Sequence, residues 1–255
     1  ASAQSAKALD GRVGVLRARG LEAARGEYIL FVDADDELCA RAMSVCADAL
    51  RASDADLLVF GGLTIGKNPP RENAVRAQLD IKDMHITERG AAVNALFEQP
   101  SCDLFLWNKA YRRSVVGTIR LDESIRIGED RAFLFDLFPK VGSAEFISDK
   151  LYRYRLKNDS SVTALYAAMP YEKALSHIAV AEHIMRSWKS CKGLSERTVS
   201  RMLDWVYRYA FRSREETLSA PERADIADRL CSVYLKYYPG FQCDPRYRAL
   251  VQASR

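Results

Sequence analysis

The chain has 255 residues, enough for one large domain or a domain with an appendage, and at 48% hydrophobic and 28% charged its composition is that of an ordinary globular protein. No apolar run approaches the ~20 residues of a membrane-spanning helix, and the opening "ASAQSAKALDGRV" carries no signal-peptide core, so the expectation is a soluble, cytoplasmic protein. The net charge of +4 hides an asymmetry: residues 1–150 carry 20 Lys+Arg against 23 Asp+Glu, whereas residues 151–255 carry 18 against 11, a balance of +7. The six cysteines form no CxxC pair and the three histidines no HExxH, which argues against a zinc site, a disulfide framework or histidine metal chemistry.

In chain order, "RVGVLRARGLEAARG" (12–26) predicts a helix ended by Gly26 that feeds an apolar strand over 28–32. That strand runs straight into Asp33, Asp35, Asp36 and Glu37. An apolar run closed by acids reads as a buried strand reaching the surface at its C-terminal end, where open α/β sheets bind ligands. Crowded carboxylates with no lysine or arginine among them invite a cation; a solvated turn opening a helix is the equal alternative. A helix over 38–52 and a second strand over 56–62 follow, then a less regular crossing over 63–86. A helix over 87–99 has Thr87 as its N-cap, and "DLFLWNKAYRRSVV" (103–116) reads as a short strand running into a helix. In "EDRAFLFDLFPKV", Leu134, Leu137, Phe138 and Val141 make a helical stripe with Glu129 and Asp130 at its start. Residues 144–156 read as strand, and helices are expected from 170, near 195–217 and over 221–237. The aromatic and arginine-rich "DWVYRYAFRSR" (204–214) reads as a helix with a buried stripe rather than a nucleic-acid surface.

Four fragments, "RARGLEAARGEYILFVDADDEL", "WNKAYRRSVV", "IRIGEDRAFLFDL" and "KLYRYRLKNDSSVT", stand in the order found in the nucleotide-sugar glycosyltransferases of family 2, which the chain resembles over roughly residues 12–163. The resemblance implies an α/β fold of GT-A type, a Rossmann-like mixed sheet flanked by helices over residues 1–163, followed by a helical C-terminal region over 164–255. It implies a metal-dependent, inverting transfer of a sugar from a nucleotide-sugar donor to a glycan or lipid-linked hydroxyl, in cell-envelope polysaccharide or glycan synthesis. By resemblance, Asp33 positions the donor and Asp35, with Asp33, binds Mn²⁺ or Mg²⁺; Asp36 is spare and available to cap the next helix. Asp130 is the base, Glu129 its supporting group. Arg17 and Arg155 are donor-binding, Arg155 together with Ser160 and Ser161, and Trp107 floors the acceptor site.

The bland readings stay open beside these: an acidic helix turn for Glu129 and Asp130, a core tryptophan for Trp107, and a strand with tyrosines inside and arginines outside for 152–156. Two departures matter. Ala18 stands where the family carries asparagine, and the family's opening strand–helix–strand is not seen. The expectation is therefore a chain that starts late in the family's nucleotide-binding part, grips nucleotide sugars weakly and self-associates through an exposed sheet edge. No nucleic-acid partner is expected, and the basic C-terminal region suits peripheral contact with the inner face of a membrane. Two other functions compete: a degenerate domain that only binds, and a phosphotransferase of the haloacid dehalogenase type, for which Glu37 is the wrong residue after Asp-x-Asp.

Overall fold

The computed structural model describes residues 13–65, 78–99, 105–122, 125, 127–155, 169–188 and 217–237. The first helix, α1 (Val13–Ala23), buries Gly14, Ala18 and Leu21, one face of a helical repeat. The chain turns through Gly26 into β1 (Tyr28–Leu30), then makes the two-residue β2 (Glu37–Leu38) and α2 (Ala42–Ser53), whose buried stripe is Ala42, Cys46 and Leu50. Asp54 ends α2 in the left-handed region, φ 49°, with its N–H on the Leu50 carbonyl. Next comes β3 (Leu57–Ile65), whose first six residues are buried without alternation, as a strand covered on both faces requires. Then follow β4 (Gln78–Leu79), β5 (Met84–Ile86), α3 (Arg89–Glu98), β6 (Lys109–Arg112) and the single turn α4 (Arg113–Val116). Helix α5 (Glu129–Leu137) passes through a 3₁₀ turn at Phe138–Lys140 into β7 (Ala144–Arg155), and α6 (Pro170–Trp188) and α7 (Ala220–Tyr237) complete the described elements.

The sheet runs β1-β6-β3-β7-β2, with β4 added to β3 and β5 to β7. Because β6 is antiparallel to both β1 and β3, and β3 is parallel to β7, the strands β1, β3 and β7 all point the same way. Their C-terminal ends therefore share one edge of the sheet. The long β7 serves two neighbours in turn, β5 along Ala144–Phe146 and β2 along Tyr152–Arg153. The β3–β7 register shifts at Gly61, and beside it Trp107 lies close over the β3 backbone: a Cβ on Gly62 would stand 2.9 Å from its Cζ3.

Helix α6 packs on α5, and α7 on α6. Tyr171 joins the last pair through Asp225 at 2.6 Å, and Lys236 through Glu182 at 2.7 Å. At the other contact Asp136 of α5 accepts from Ser187 at 2.6 Å and pairs with His183 Nε2 at 2.9 Å. Hydrogen bonds from His183 and Ser187 hold the Asp136 carboxyl below its ordinary value despite its burial. On the outer side of β1 a groove of about 400 Å³ runs along α2, lined by Tyr28, Leu30, Met43 and Cys46 among others.

The structure departs from the sequence-based expectations in several places, among them the segment 63–86, expected to be irregular, which holds the end of β3 and the strands β4 and β5. Leu38 belongs to β2 rather than to the next helix, because the Cys39 N–H is taken by the Leu151 carbonyl at 2.9 Å and helix begins only at Ala42. Strand β1 stops at Leu30, two residues short, since the chain leaves the β6 ladder to make the acidic turn. Thr87 does not cap α3; Glu88 holds that position with no side-chain bond. The stripe of Leu134, Leu137, Phe138 and Val141 is buried as expected. Segment 204–214 and Ser160 and Ser161 lie outside the described residues.

The close seat of Trp107 on Gly62 makes that glycine a steric requirement. Gly62→Ala should lower stability by about 1–3 kcal/mol through overpacking, seen as a lower urea midpoint with an unchanged slope. An unchanged midpoint would mean that the indole can move aside freely.

Candidate active site

At the carboxyl end of β1 the chain folds into a turn, Asp33 to Asp36, closed by the Asp36 N–H on the Asp33 carbonyl at 3.0 Å. Strand β7 holds this turn. The Tyr152 hydroxyl accepts the Asp33 N–H at 3.0 Å and donates to Asp36 Oδ2 at 2.8 Å, while the Arg155 N–H donates to Asp36 Oδ1 at 2.7 Å. The Arg155 guanidinium reaches the Asp35 carbonyl at 3.2 Å and pairs with Glu37. Asp36 is thus not the cap of α2, which starts six residues later. Burial raises the Asp36 carboxyl in spite of the two donors on it, and burial likewise raises the Tyr152 phenol, which stays protonated at neutral pH.

The second pair of acids comes from the start of α5. Gly128 holds the N-cap position with φ 85°, a conformation that suits glycine, and a Cβ there would meet Val180 Cγ2 of α6 at 3.0 Å. One residue earlier, Ser176 of α6 accepts the Ile127 N–H at 3.1 Å and donates to the Ile127 carbonyl at 3.0 Å. The acids are therefore set by α6 as well as by their own helix. Glu129 is buried; Asp130 is half-buried, with one oxygen on the Arg131 N–H at 2.7 Å.

Arg17 on α1 joins the two sets. Its Nη2 lies 2.6 Å from Asp33 Oδ1 and its Nη1 2.7 Å from Glu129 Oε1. Burial works against the guanidinium charge, but Asp33, Asp130 and Glu129 together more than offset it, so its pKa is raised. Glu129 is pushed up to about 7, first by burial and then by the charge of Asp130, with Arg17 opposing both. Asp130 is also raised, by burial, against the pull of Arg17. Acids 96 and 97 positions apart in the sequence, Asp33 from Glu129 and Asp130, thus lie around one cation at the sheet edge where β1 and β7 end.

Of the residues singled out from the sequence, Asp33, Arg17 and Glu129 are in direct contact, Asp130 adjoins them, and Asp35 and Arg155 share the acidic turn. Trp107 stands behind the turn and only 3% exposed, its ring stacked 4.4 Å from Tyr152 and 4.9 Å from Phe105, so here it presents no open face to a sugar. The neighbouring Lys109 is buried and binds the Phe105 carbonyl at 2.5 Å and Asn108 Oδ1 at 2.6 Å, holding the corner that carries Trp107. Sequence reasoning missed Tyr152 as part of the site. Its only signal was the Tyr-x-Tyr alternation, which reads equally as a strand's inner face.

The carboxylates of Asp35 and Asp33 are hard oxygen donors of the kind that Mn²⁺ and Mg²⁺ take. Among the described residues no group of three or more acids, histidines or cysteines is placed to hold a cation. Two carboxylates suit a cation whose remaining ligands are diphosphate oxygens and water.

Comparison with known proteins accords with this geometry. The model of the glycosyl transferase family 2 matches residues 11–141. The putative glycosyltransferase EpsH of Bacillus subtilis is 31% identical over 174 residues, covering 64% of this chain and 47% of EpsH. The uncharacterized glycosyltransferase EpsJ of the same organism is 25% identical over 183 residues, 71% of this chain and 50% of EpsJ. The chain thus spans about half the length of these relatives. Among solved structures, S. aureus TarS 1–349 in complex with UDP-GlcNAc superposes with a TM-score of 0.68 at 16% identity, over 94% of this chain and 64% of that one. The same protein in complex with UDP gives 0.65 at 17% identity, over 94% and 63%. Fold and family model agree: the chain belongs to glycosyl transferase family 2 and has the mixed-sheet architecture of a GT-A glycosyltransferase.

Proposed function

We propose that this glycosyltransferase moves a sugar from a nucleoside-diphosphate donor to a hydroxyl acceptor with inversion at the anomeric carbon, using Asp130 as base. The observation that carries the reading is the Arg17 bridge, which sets the Asp33 turn and the Glu129–Asp130 pair side by side at the carboxyl edge of the sheet. A sugar hydroxyl is a weak nucleophile until its proton leaves, and general-base help contributes typically ~10²–10⁴-fold. Glu129 has its carboxylate on Arg17, whereas Asp130 is only half-buried, and its raised pKa makes it a better proton acceptor than an ordinary aspartate. In this scheme the acceptor oxygen bonds to the anomeric carbon as its proton passes to Asp130. The bond to the diphosphate oxygen breaks on the opposite face, and the nucleoside diphosphate departs.

Asp35 and Asp33 would hold the Mn²⁺ or Mg²⁺, which when bound neutralises charge growing on the diphosphate. Arg17 holds the Asp33 carboxylate oriented for that role, and Arg155 stands by the turn for phosphate oxygens. A nucleotide-sugar donor is supported by the UDP-GlcNAc and UDP held in the TarS structures. The acceptor class, a glycan or lipid-linked hydroxyl of cell-envelope polysaccharide synthesis, follows from the family resemblance. We place the protein on the cytoplasmic side of the membrane with its basic half toward anionic lipid. No helix among the described residues is long and apolar enough to cross a bilayer.

Four outcomes test these assignments. A panel of nucleotide sugars and UDP, with and without Mn²⁺, should raise the unfolding temperature in a metal-dependent way, and Asp35→Ala should abolish the metal-dependent part. A shift that survives the substitution removes Asp35 from the site. Asp130→Asn should lower turnover by ~10²-fold or more with donor affinity nearly kept. The same variant removes a negative neighbour but not the burial, so the pKa of the Glu129 carboxyl should fall below about 7, read from its infrared C=O band. A band that titrates unchanged would separate the two acids electrostatically. Finally, binding to anionic vesicles should fall steeply between low and physiological salt; salt-independent or absent binding would leave the basic half without a membrane role.

A further inference from the structure

We propose that Tyr152 is a positioning residue of the donor site, its hydroxyl clamping the Asp33–Asp36 turn at both ends and so fixing where Asp35 stands. This rests on the reading of Asp33 and Asp35 as the donor-side acids. The ring is closely held: it is 0% exposed, stacked on Trp107 at 4.4 Å, and Tyr152 sits between Leu38 of β2 and Gly62 of β3 in the sheet register. The hydroxyl has one proton. An amide can only donate, so the Asp33 N–H at 3.0 Å takes a lone pair, and the phenol proton goes to Asp36 Oδ2 at 2.8 Å. The direction of both bonds is therefore set.

The second Asp36 oxygen is fixed by the Arg155 N–H at 2.7 Å, and the Asp36 N–H closes the turn on the Asp33 carbonyl at 3.0 Å. Between the two held ends lie only Ala34 and Asp35, both exposed. The turn cannot swing Asp35 away without breaking contacts to the centre of the sheet. Pre-setting a ligand in this manner raises affinity by removing an ordering cost at binding. Tyr152 does this from behind the turn, without touching donor or acceptor.

The test is titration calorimetry of the whole chain with UDP in the presence of Mn²⁺. Tyr152→Phe keeps the stacked ring and removes the hydroxyl; affinity should fall about tenfold. Tyr111→Phe is the matched control, because it deletes another buried hydroxyl, bonded to the Leu106 carbonyl at 3.0 Å in β6. It should lower the unfolding temperature by a similar amount yet leave UDP affinity intact. Asp36→Asn retains an acceptor for the phenol but turns its NH2 toward the Arg155 N–H, and should keep part of the affinity that Asp36→Ala loses. Wild-type affinity in Tyr152→Phe, or an equal loss in Tyr111→Phe, overturns the proposal. If the wild-type chain takes up no UDP, the donor-site reading fails, and hydrogen exchange at the Asp33 amide decides the clamp. Faster exchange there in Tyr152→Phe, with Leu57–Phe60 unchanged, supports it; equal exchange overturns it.

Discussion

A single guanidinium with acids on two sides organises this molecule. Arg17 is mostly buried, and a buried ion of one sign is stable only if its partners come with good geometry. Arginine meets that condition because its planar fork carries several fixed donors, so one side chain can serve two carboxylates from different elements. The positions of α1, β1 and α5 are thereby tied together. Removing the guanidinium would leave Glu129 buried beside Asp130 with no cation to compensate it, at a cost of about 3–5 kcal/mol, so the arrangement of acids and the stability of the fold are the same question.

The other supports answer to that centre. Helix α6 brings Val180 against Gly128, Ser176 against Ile127, and His183 and Ser187 against Asp136, so both ends of α5 are fixed from outside the sheet. Strand β7 does the same for the acidic turn. The acids come from short local segments, but what aims them lies elsewhere in the chain, as rigid support for a site generally must. The C-terminal helices are in this sense part of the site's architecture even though they supply none of its acids.

Much of this was legible in the sequence, and what was not has a common cause. The apolar run before Asp33 and the stripe behind Glu129 announce their elements because burial imposes a period on neighbouring residues. Nothing local encodes a partner 112 positions away, the separation of Arg17 from Glu129. Asp36 has the features of a helix cap, since acids favour helix starts, and its actual donor is a tyrosine 116 positions on. Trp107 illustrates the same limit. An aromatic residue in an apolar stretch has one appearance whether it floors a sugar site or packs in the core, and nothing local announces the seat that the β3 backbone gives it at Gly62. Strand β2 is two residues long, too short for any alternation to register.

The parallel pairing of β3 with β7 also has a consequence in time. Parallel neighbours cannot form from a tight hairpin; here α3, β6 and α5 must all lie between them, so the central pair of the sheet is a contact of high order and slow to close. Asp33 and Asp130 are 97 positions apart, and at about 5–20 residues per second a ribosome makes the second roughly 5–20 s after the first. During that interval Arg17 has Asp33 to pair with but not Glu129, and the acidic turn lacks the strand that holds it. The site is complete only when α5 has been made and β7 lies between β3 and β2.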